Sequence, residues 1–217
     1  MKIIDIILDL FYPPRCAFCH KFVESSEGIF FPQCRKVLPY THGEGQRKKV
    51  AHTDKCLSPL YYEGLVRQSL LRYKFHSATA YAAVYGEILS KYIDENGISC
   101  DIITWIPLSK KRKRTRGYDQ AELIAEEIAR IKGLKCVPLI RKVKDTKAQS
   151  KTGNAEKRRA NISGAYSLCS GAEVKDKRIL LVDDIVTTGS TFAEAASVLK
   201  KAGASELVAV AVARKRD

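Results

Sequence analysis

Apolar and polar positions change rhythm along the chain. From about residue 61 onward two periods alternate. Apolar residues recur three and four apart over Leu65–Phe75, Ala80–Ile93 and Tyr118–Ile131, and each of these predicts a helix. In the last of them Leu123, Ile124, Ile128 and Ile131 share one face. Unbroken apolar runs predict strands at Asp101–Ile106, closed by Pro107, and at Ile179–Val182. Glu206–Ala213 is almost wholly apolar, as a strand buried on both faces would be. Strands that alternate with helices predict an α/β fold, a mostly parallel sheet flanked by helices. Ligands bind such sheets at the C-terminal ends of the strands.

Residues 1 to about 60 lack this periodicity. They hold Cys16, Cys19, Cys34 and Cys56, and three of the four histidines. The expected division is a small cysteine-rich module over 1–60 and an α/β domain over 61–217. Within the module, Lys2–Phe11 is apolar but interrupted by Asp5 and Asp9. It predicts an amphipathic helix and lacks the pattern of a signal peptide.

Composition sharpens the picture modestly. The 217 residues are 45% hydrophobic and 29% charged, and no apolar stretch is long enough to span a membrane. A cytoplasmic protein is expected, and its seven cysteines then read as metal ligands or buried thiols rather than disulfides. The net charge of +14 favours anionic partners.

The run from Ile179 to Thr191 carries the most chemistry. A buried strand ends in Asp183-Asp184, and the hydroxyl loop Thr187-Thr188-Gly189-Ser190-Thr191 leads into a helix from about Thr191 to Lys201. Amides at a helix start, with the threonine and serine hydroxyls, can surround a phosphate, and Gly189 lets the backbone approach it. The two carboxylates would repel that phosphate, so they face a sugar diol or a cation. A ribose 5-phosphate has this layout. There is no Walker-type glycine–lysine loop.

Two stretches are densely basic. Lys110, Lys111, Arg112, Lys113, Arg114 and Arg116 follow Ser109 as a loop leaving the strand at Asp101. If that strand neighbours the one at Ile179, these cations overhang the acid pair and suit a pyrophosphate. Arg141–Asn161 has the length of a lid or a surface loop. Both stretches also suit a nucleic-acid backbone, with Tyr118, Tyr166 and Trp105 near enough in sequence to stack on bases.

In the cysteine region, Cys16-Ala17-Phe18-Cys19 has the spacing of a zinc chelator. Phe31-Pro32-Gln33-Cys34 has the shape of a second such pair, with Phe31 where its first cysteine would stand. Cys56 is the expected fourth ligand by chemistry, with His20, His42 and His52 behind it. No thioredoxin-like pattern supports a redox role.

The Ile179–Thr191 run resembles the PRPP-binding motif of type I phosphoribosyltransferases. Nearly the whole chain resembles the ComF family. The family's P-L-x-x-x-R-x-x-x-R-G-[FY]-[ND]-Q signature is met by Pro107, Leu108, Arg112, Arg116, Gly117, Tyr118, Asp119 and Gln120. Its Q…R-x-x-N-x-x-x-A-[FY] element is met by Gln149, Arg158, Asn161, Ala165 and Tyr166. Its cysteine-rich start is met by Cys16, Cys19 and Cys34, and Phe31 departs from it.

The resemblance implies a phosphoribosyltransferase fold with a zinc-ribbon-like module, and a part in natural competence and DNA uptake. The partners it implies are PRPP or ribose 5-phosphate, single-stranded DNA and a helicase, with Mg²⁺ and Zn²⁺ as cofactors. Asp183 and Asp184 are the expected catalytic pair and Thr187–Thr191 the phosphate site. Ser109, Lys110, Arg112 and Arg116 are the expected pyrophosphate site. Lys111, Lys113, Arg114, Arg158 and Arg159 are the expected nucleic-acid contacts, and Cys16, Cys19, Cys34 and Cys56 the metal ligands. The competing reading is a DNA-binding protein that keeps the fold and holds a phosphate or nucleotide without catalysis. A PRPP-responsive regulator is a weaker third, with no helix-turn-helix pattern to support it.

Overall fold

A computed structural model of the protein describes residues 14–23, 29–76, 78–144 and 163–216. The expected helix at Lys2–Phe11 and most of the Arg141–Asn161 stretch, with Gln149, Arg158, Arg159 and Asn161, lie outside the described residues.

The main sheet has six strands. β1 (Lys55–Leu57) and β2 (Leu60–Tyr61) lie end to end along one edge of β8 (Glu206–Arg214). β7 (Arg178–Val186) pairs with the other edge of β8, followed by β3 (Ile102–Trp105) and β4 (Lys135–Cys136). Every pairing in this sheet is parallel. β8 is covered on both faces and flanked on both edges, which is why nearly all of it is apolar. Residues 55–61, with no visible periodicity, are thus edge strands of the main sheet.

Helices form two layers. On one face lie α2 (Gly64–Phe75), α3 (Tyr81–Glu95) and α5 (Gln120–Lys132). α2 buries Val66, Ser69, Leu70 and Tyr73, the spacing of a single helical stripe. α5 starts at Asp119, whose Oδ1 accepts from the Ala121 amide at 3.2 Å. It stops at Gly133, whose φ of 65° is left-handed. Its buried face is Ala121, Ile124, Ala125, Ile128 and Ala129. Of the expected stripe, Ile124 and Ile128 are buried and Leu123 packs partly against the core, but Ile131 is exposed and small alanines complete the buried face instead. They permit the close approach to α3, where a Cβ on Gly86 would meet Glu127 Cβ at 2.5 Å. On the other face packs α6 (Ser190–Lys201), through Phe192, Ala195, Ala196 and Leu199.

The cysteine-bearing stretch, residues 14–23 and 29–38, packs on the α2 and α3 side, with Cys16, Phe18, Phe30 and Cys34 in the same hydrophobic cluster as Leu70 and Tyr85. Ser69 Oγ donates to the Ala17 carbonyl at 2.5 Å, and Arg72 reaches the Phe18 carbonyl at 2.6 Å. Its one described helix is short, α1 (Pro32–Val37). No helix among the described residues is long and apolar enough to cross a membrane.

Candidate functional site

A cleft of about 430 Å³ opens at the C-terminal edge of the sheet, lined among others by Lys74, Arg112, Arg116, Lys142, Asp183, Asp184, Thr187 and Thr191. Its place follows from strand pairing. β3 and β7 are neighbours, as expected, and run together as far as Trp105 and Val182. There β3 turns away through Pro107, while β7 continues along β8 to Val186. Asp183 and Asp184 are therefore strand residues, as expected, at the place where a neighbour has left, and the strand runs two residues beyond them.

Successive strand residues face opposite ways. Asp184 follows Leu180 and Val182, whose face packs on α2 and α5. Asp183 follows Ile179 and Leu181, whose face packs on α6. Asp184 is buried and its Oδ2 lies 2.8 Å from Lys74 Nζ on α2. The Asp184 amide donates to Asp183 Oδ1 at 2.8 Å. Burial, then the Asp184 carboxylate beside it, hold the Asp183 carboxyl well above its ordinary range. Burial works against the charged Lys74, but Asp184 and then Asp183 outweigh it and raise the ammonium's pKa.

The hydroxyl loop follows. Gly189 adopts φ 79°, and a Cβ there would meet Val50 Cγ2 at 2.6 Å. Only glycine suits both the conformation and the contact. Thr188 Oγ1 and Ser190 Oγ are 2.9 Å apart. Thr187 and Thr191 line the acidic cleft, whereas Thr188, Gly189 and Ser190 face a smaller cavity shared with Lys49, Val50 and His52. Among the described residues, no backbone carbonyl outside regular elements takes the Thr187, Thr188 or Gly189 amide. The loop can offer these donors to an anion.

The basic segment is a helix, not the expected loop. α4 (Lys110–Arg116) starts at Ser109, which is buried and caps it by accepting from the Arg112 amide at 3.4 Å. It ends at Gly117, φ 85°, whose amide donates to the Lys113 carbonyl at 2.8 Å. Helical spacing sorts the cations. Arg112 and Arg116, four apart, share one face and line the cleft. Lys110, Lys111 and Arg114 are exposed elsewhere, and Lys113 pairs with Glu122. Of the expected pyrophosphate set, then, two arginines reach the cleft and Lys110 does not line it. Arg116 bonds Gln120 Oε1 and stands 5.3 Å from the Phe75 ring.

Other residues of the cleft were not among the expected ligand contacts. Lys142 and Tyr166 arrive on a small antiparallel pair, β5 (Ile140–Lys142) and β6 (Tyr166–Leu168), with Lys142 Nζ 5.4 Å from the Tyr166 ring centre. The family element had marked Tyr166, and the second basic stretch had included Lys142, but nothing local marked Lys74. Asp119 lines the cleft too, accepting from the Leu108 amide at 2.7 Å, and burial lifts its pKa to about 6. Trp105 is core, and Tyr118 donates its hydroxyl to the Tyr73 carbonyl.

The sulfurs of Cys16, Cys19 and Cys34 lie within 4.8 Å of one another, with Cys16 and Cys34 3.7 Å apart. Burial first, then the neighbouring Cys19 and Cys16, push the Cys34 thiol up to about 12. Cys56 is not with them, which corrects the expected fourth ligand. It pairs with Ala209 through β1 and is buried in the cluster on the opposite face of the sheet.

Residues 116–217 match the family model described as Phosphoribosyl transferase domain. The chain is 36% identical over 111 residues to "Competence protein F" of Haemophilus influenzae, covering 50% of this chain and 48% of that protein. It is 28% identical over 153 residues to "Competence protein ComFC" of Streptococcus pneumoniae, covering 70% and 65%. It is 34% identical over 107 residues to "DNA utilization protein YhgH" of Escherichia coli K12, covering 48% and 45%. The chain spans about half to two thirds of the length of these curated relatives.

Proposed function

Because the chain belongs to the ComF family of the type I phosphoribosyltransferase superfamily, we propose that its cleft binds PRPP and supports phosphoribosyl transfer. One observation carries this reading: an acid pair, Thr187 and Thr191 at the two ends of a glycine-pinned turn, and two helix-borne arginines line one cleft. The turn at Thr187–Thr191 takes the 5-phosphate. Asp183 and Asp184 accept hydrogen bonds from the ribose hydroxyls. Arg112 and Arg116, with Lys142 beside them, neutralise the pyrophosphate.

As the bond between ribose C1 and the pyrophosphate oxygen breaks, the oxygen keeps the electron pair and positive charge grows on the sugar. The carboxylates favour that charge and the guanidiniums favour the departing anion. An acceptor then forms the new bond at C1. The hard oxygens of Asp183 and Asp184 fit Mg²⁺, whose chemistry is to neutralise the pyrophosphate.

The three thiols fit a zinc ion in a structural role. Zinc–sulfur bonds of about 2.3 Å in a tetrahedron set sulfurs about 3.8 Å apart, close to the 3.7 Å between Cys16 and Cys34. Cys16, Cys19 and Cys34 would hold it and tie the first turn to α1.

A second reading is joined to the first by the other faces of α4. The exposed Lys111 and Arg114 point away from the cleft and suit a single-stranded DNA backbone. A part in competence and DNA utilisation is supported by the relatives' names, and a cytoplasmic place beside a helicase comes with the family resemblance alone; both belong to this proposal.

Calorimetry with PRPP and Mg²⁺ tests the first reading. Wild type is expected to bind and Asp183→Asn/Asp184→Asn is not. Wild-type protein that binds no PRPP overturns it.

A further inference from the structure

The cationic partner of the acid pair comes from outside every motif. Lys74 lies in the last turn of α2, and its neighbours are committed to the opposite wall of the cleft. The Tyr73 hydroxyl donates to the Gln120 carbonyl at 2.9 Å, and the Tyr73 carbonyl accepts from Tyr118. The Phe75 ring lies against the Arg116 guanidinium. Three consecutive residues therefore fasten the basic wall to the acidic one, and the middle one enters the cleft between them.

An ion pair buried for stability alone gains little, since desolvation offsets attraction. Lys74 and Asp184 are not sealed away: the Lys74 side chain keeps 22% of its exposure and both residues line the cleft. An ammonium has three N–H donors, and the bond to Asp184 uses one. A carboxylate likewise accepts several hydrogen bonds, so Asp184 can hold Lys74 and a ligand hydroxyl together.

We infer that Lys74 is a specificity-determining residue: it braces Asp184 with one N–H and presents another to an anionic group borne beside the hydroxyls that Asp184 takes. The cleft then distinguishes a sugar phosphate with a second anion next to its diol from one with the terminal phosphate alone. The inference rests on the ribose-phosphate reading of the cleft.

The test is titration of wild type, Lys74→Gln, Lys74→Met and Lys74→Arg with PRPP plus Mg²⁺ and, separately, with ribose 5-phosphate. Melting curves accompany each variant. Glutamine keeps a bond to Asp184 without the charge, so it remains informative if the methionine variant fails to fold. Wild type is expected to favour PRPP. Lys74→Gln should lose PRPP affinity by about tenfold, the worth of one charge-assisted hydrogen bond, with ribose 5-phosphate changed less than about threefold. Lys74→Arg should restore most of the loss. Equal losses for both ligands, or no loss for either, in a folded variant overturn the inference while leaving the cleft's reading intact. Wild type that binds neither ligand overturns both.

Discussion

The two walls of the cleft are built by opposite means. The acidic wall is a strand pinned by backbone pairing, its two carboxylates set on opposite faces of the sheet and joined through the Asp184 amide, which donates to Asp183 Oδ1. The basic wall is a short helix at the surface, carrying more cations than it can aim at one place. In the first, position is fixed and charge is strained. In the second, charge is abundant and direction alone decides which side chains matter. Each acid should therefore be irreplaceable, and the cations should divide sharply into two classes.

The largest expected effect falls on the acidic wall. Asp183→Asn/Asp184→Asn should weaken PRPP binding by about a hundredfold or more, since two hydrogen bonds to charged groups are lost. A calorimetric loss below tenfold would break the contrast. Arg112→Ala and Arg116→Ala should each cost about tenfold, measured in the same titration.

Gly189→Ala should lower stability by about 1–2 kcal/mol in urea unfolding, from a left-handed φ and the Val50 contact. An unchanged midpoint would mean that the turn is not pinned.

Asp183→Asn should do the reverse of a usual active-site change and stabilise the protein at pH 8. A carboxyl whose folded pKa is raised binds its proton more tightly when folded. Its contribution to stability therefore declines as pH rises from the unfolded value near 4 through the raised folded value. Asparagine removes that penalty, and the gain should vanish at acid pH. A gain that is equal at both pH values would show that charge is not the cause.

The smallest effect closes the series. Lys111→Ala/Arg114→Ala should change PRPP affinity less than about twofold. Its affinity for single-stranded DNA should fall, with a salt slope flatter by about 0.7 per lost phosphate contact. A large PRPP effect from these outward residues would erase the division within α4.

The same contrast explains what could be read from the chain. Ile179–Thr191 was legible because its chemistry is contiguous: strand, acids, turn and helix follow one another, and β7, the turn and α6 reproduce them. The register that extends β7 through the acids was not legible, because it depends on β3 leaving at Pro107. α4 was hidden by its own composition, since a dense run of like charges opposes a helix locally. What holds it is a serine cap, a left-handed glycine and partners on other elements, Glu122, Gln120 and Phe75.

Lys74 had no local signal at all. Its partner is remote in sequence, and its helix reads as ordinary amphipathic packing. Cys56 shows the opposite error. Its chemistry suited a metal, but a three-residue edge strand turned it to the other side of the sheet.

Adjacent carboxylates on one strand answer to separate helical layers. A substitution among the residues under Asp184, on α2 or α5, can move that oxygen pair without disturbing its neighbour, and one beneath Asp183, on α6, can do the converse. The fold thus supplies two independent adjustments for a single grip on a sugar, each reachable by ordinary repacking far from any ligand.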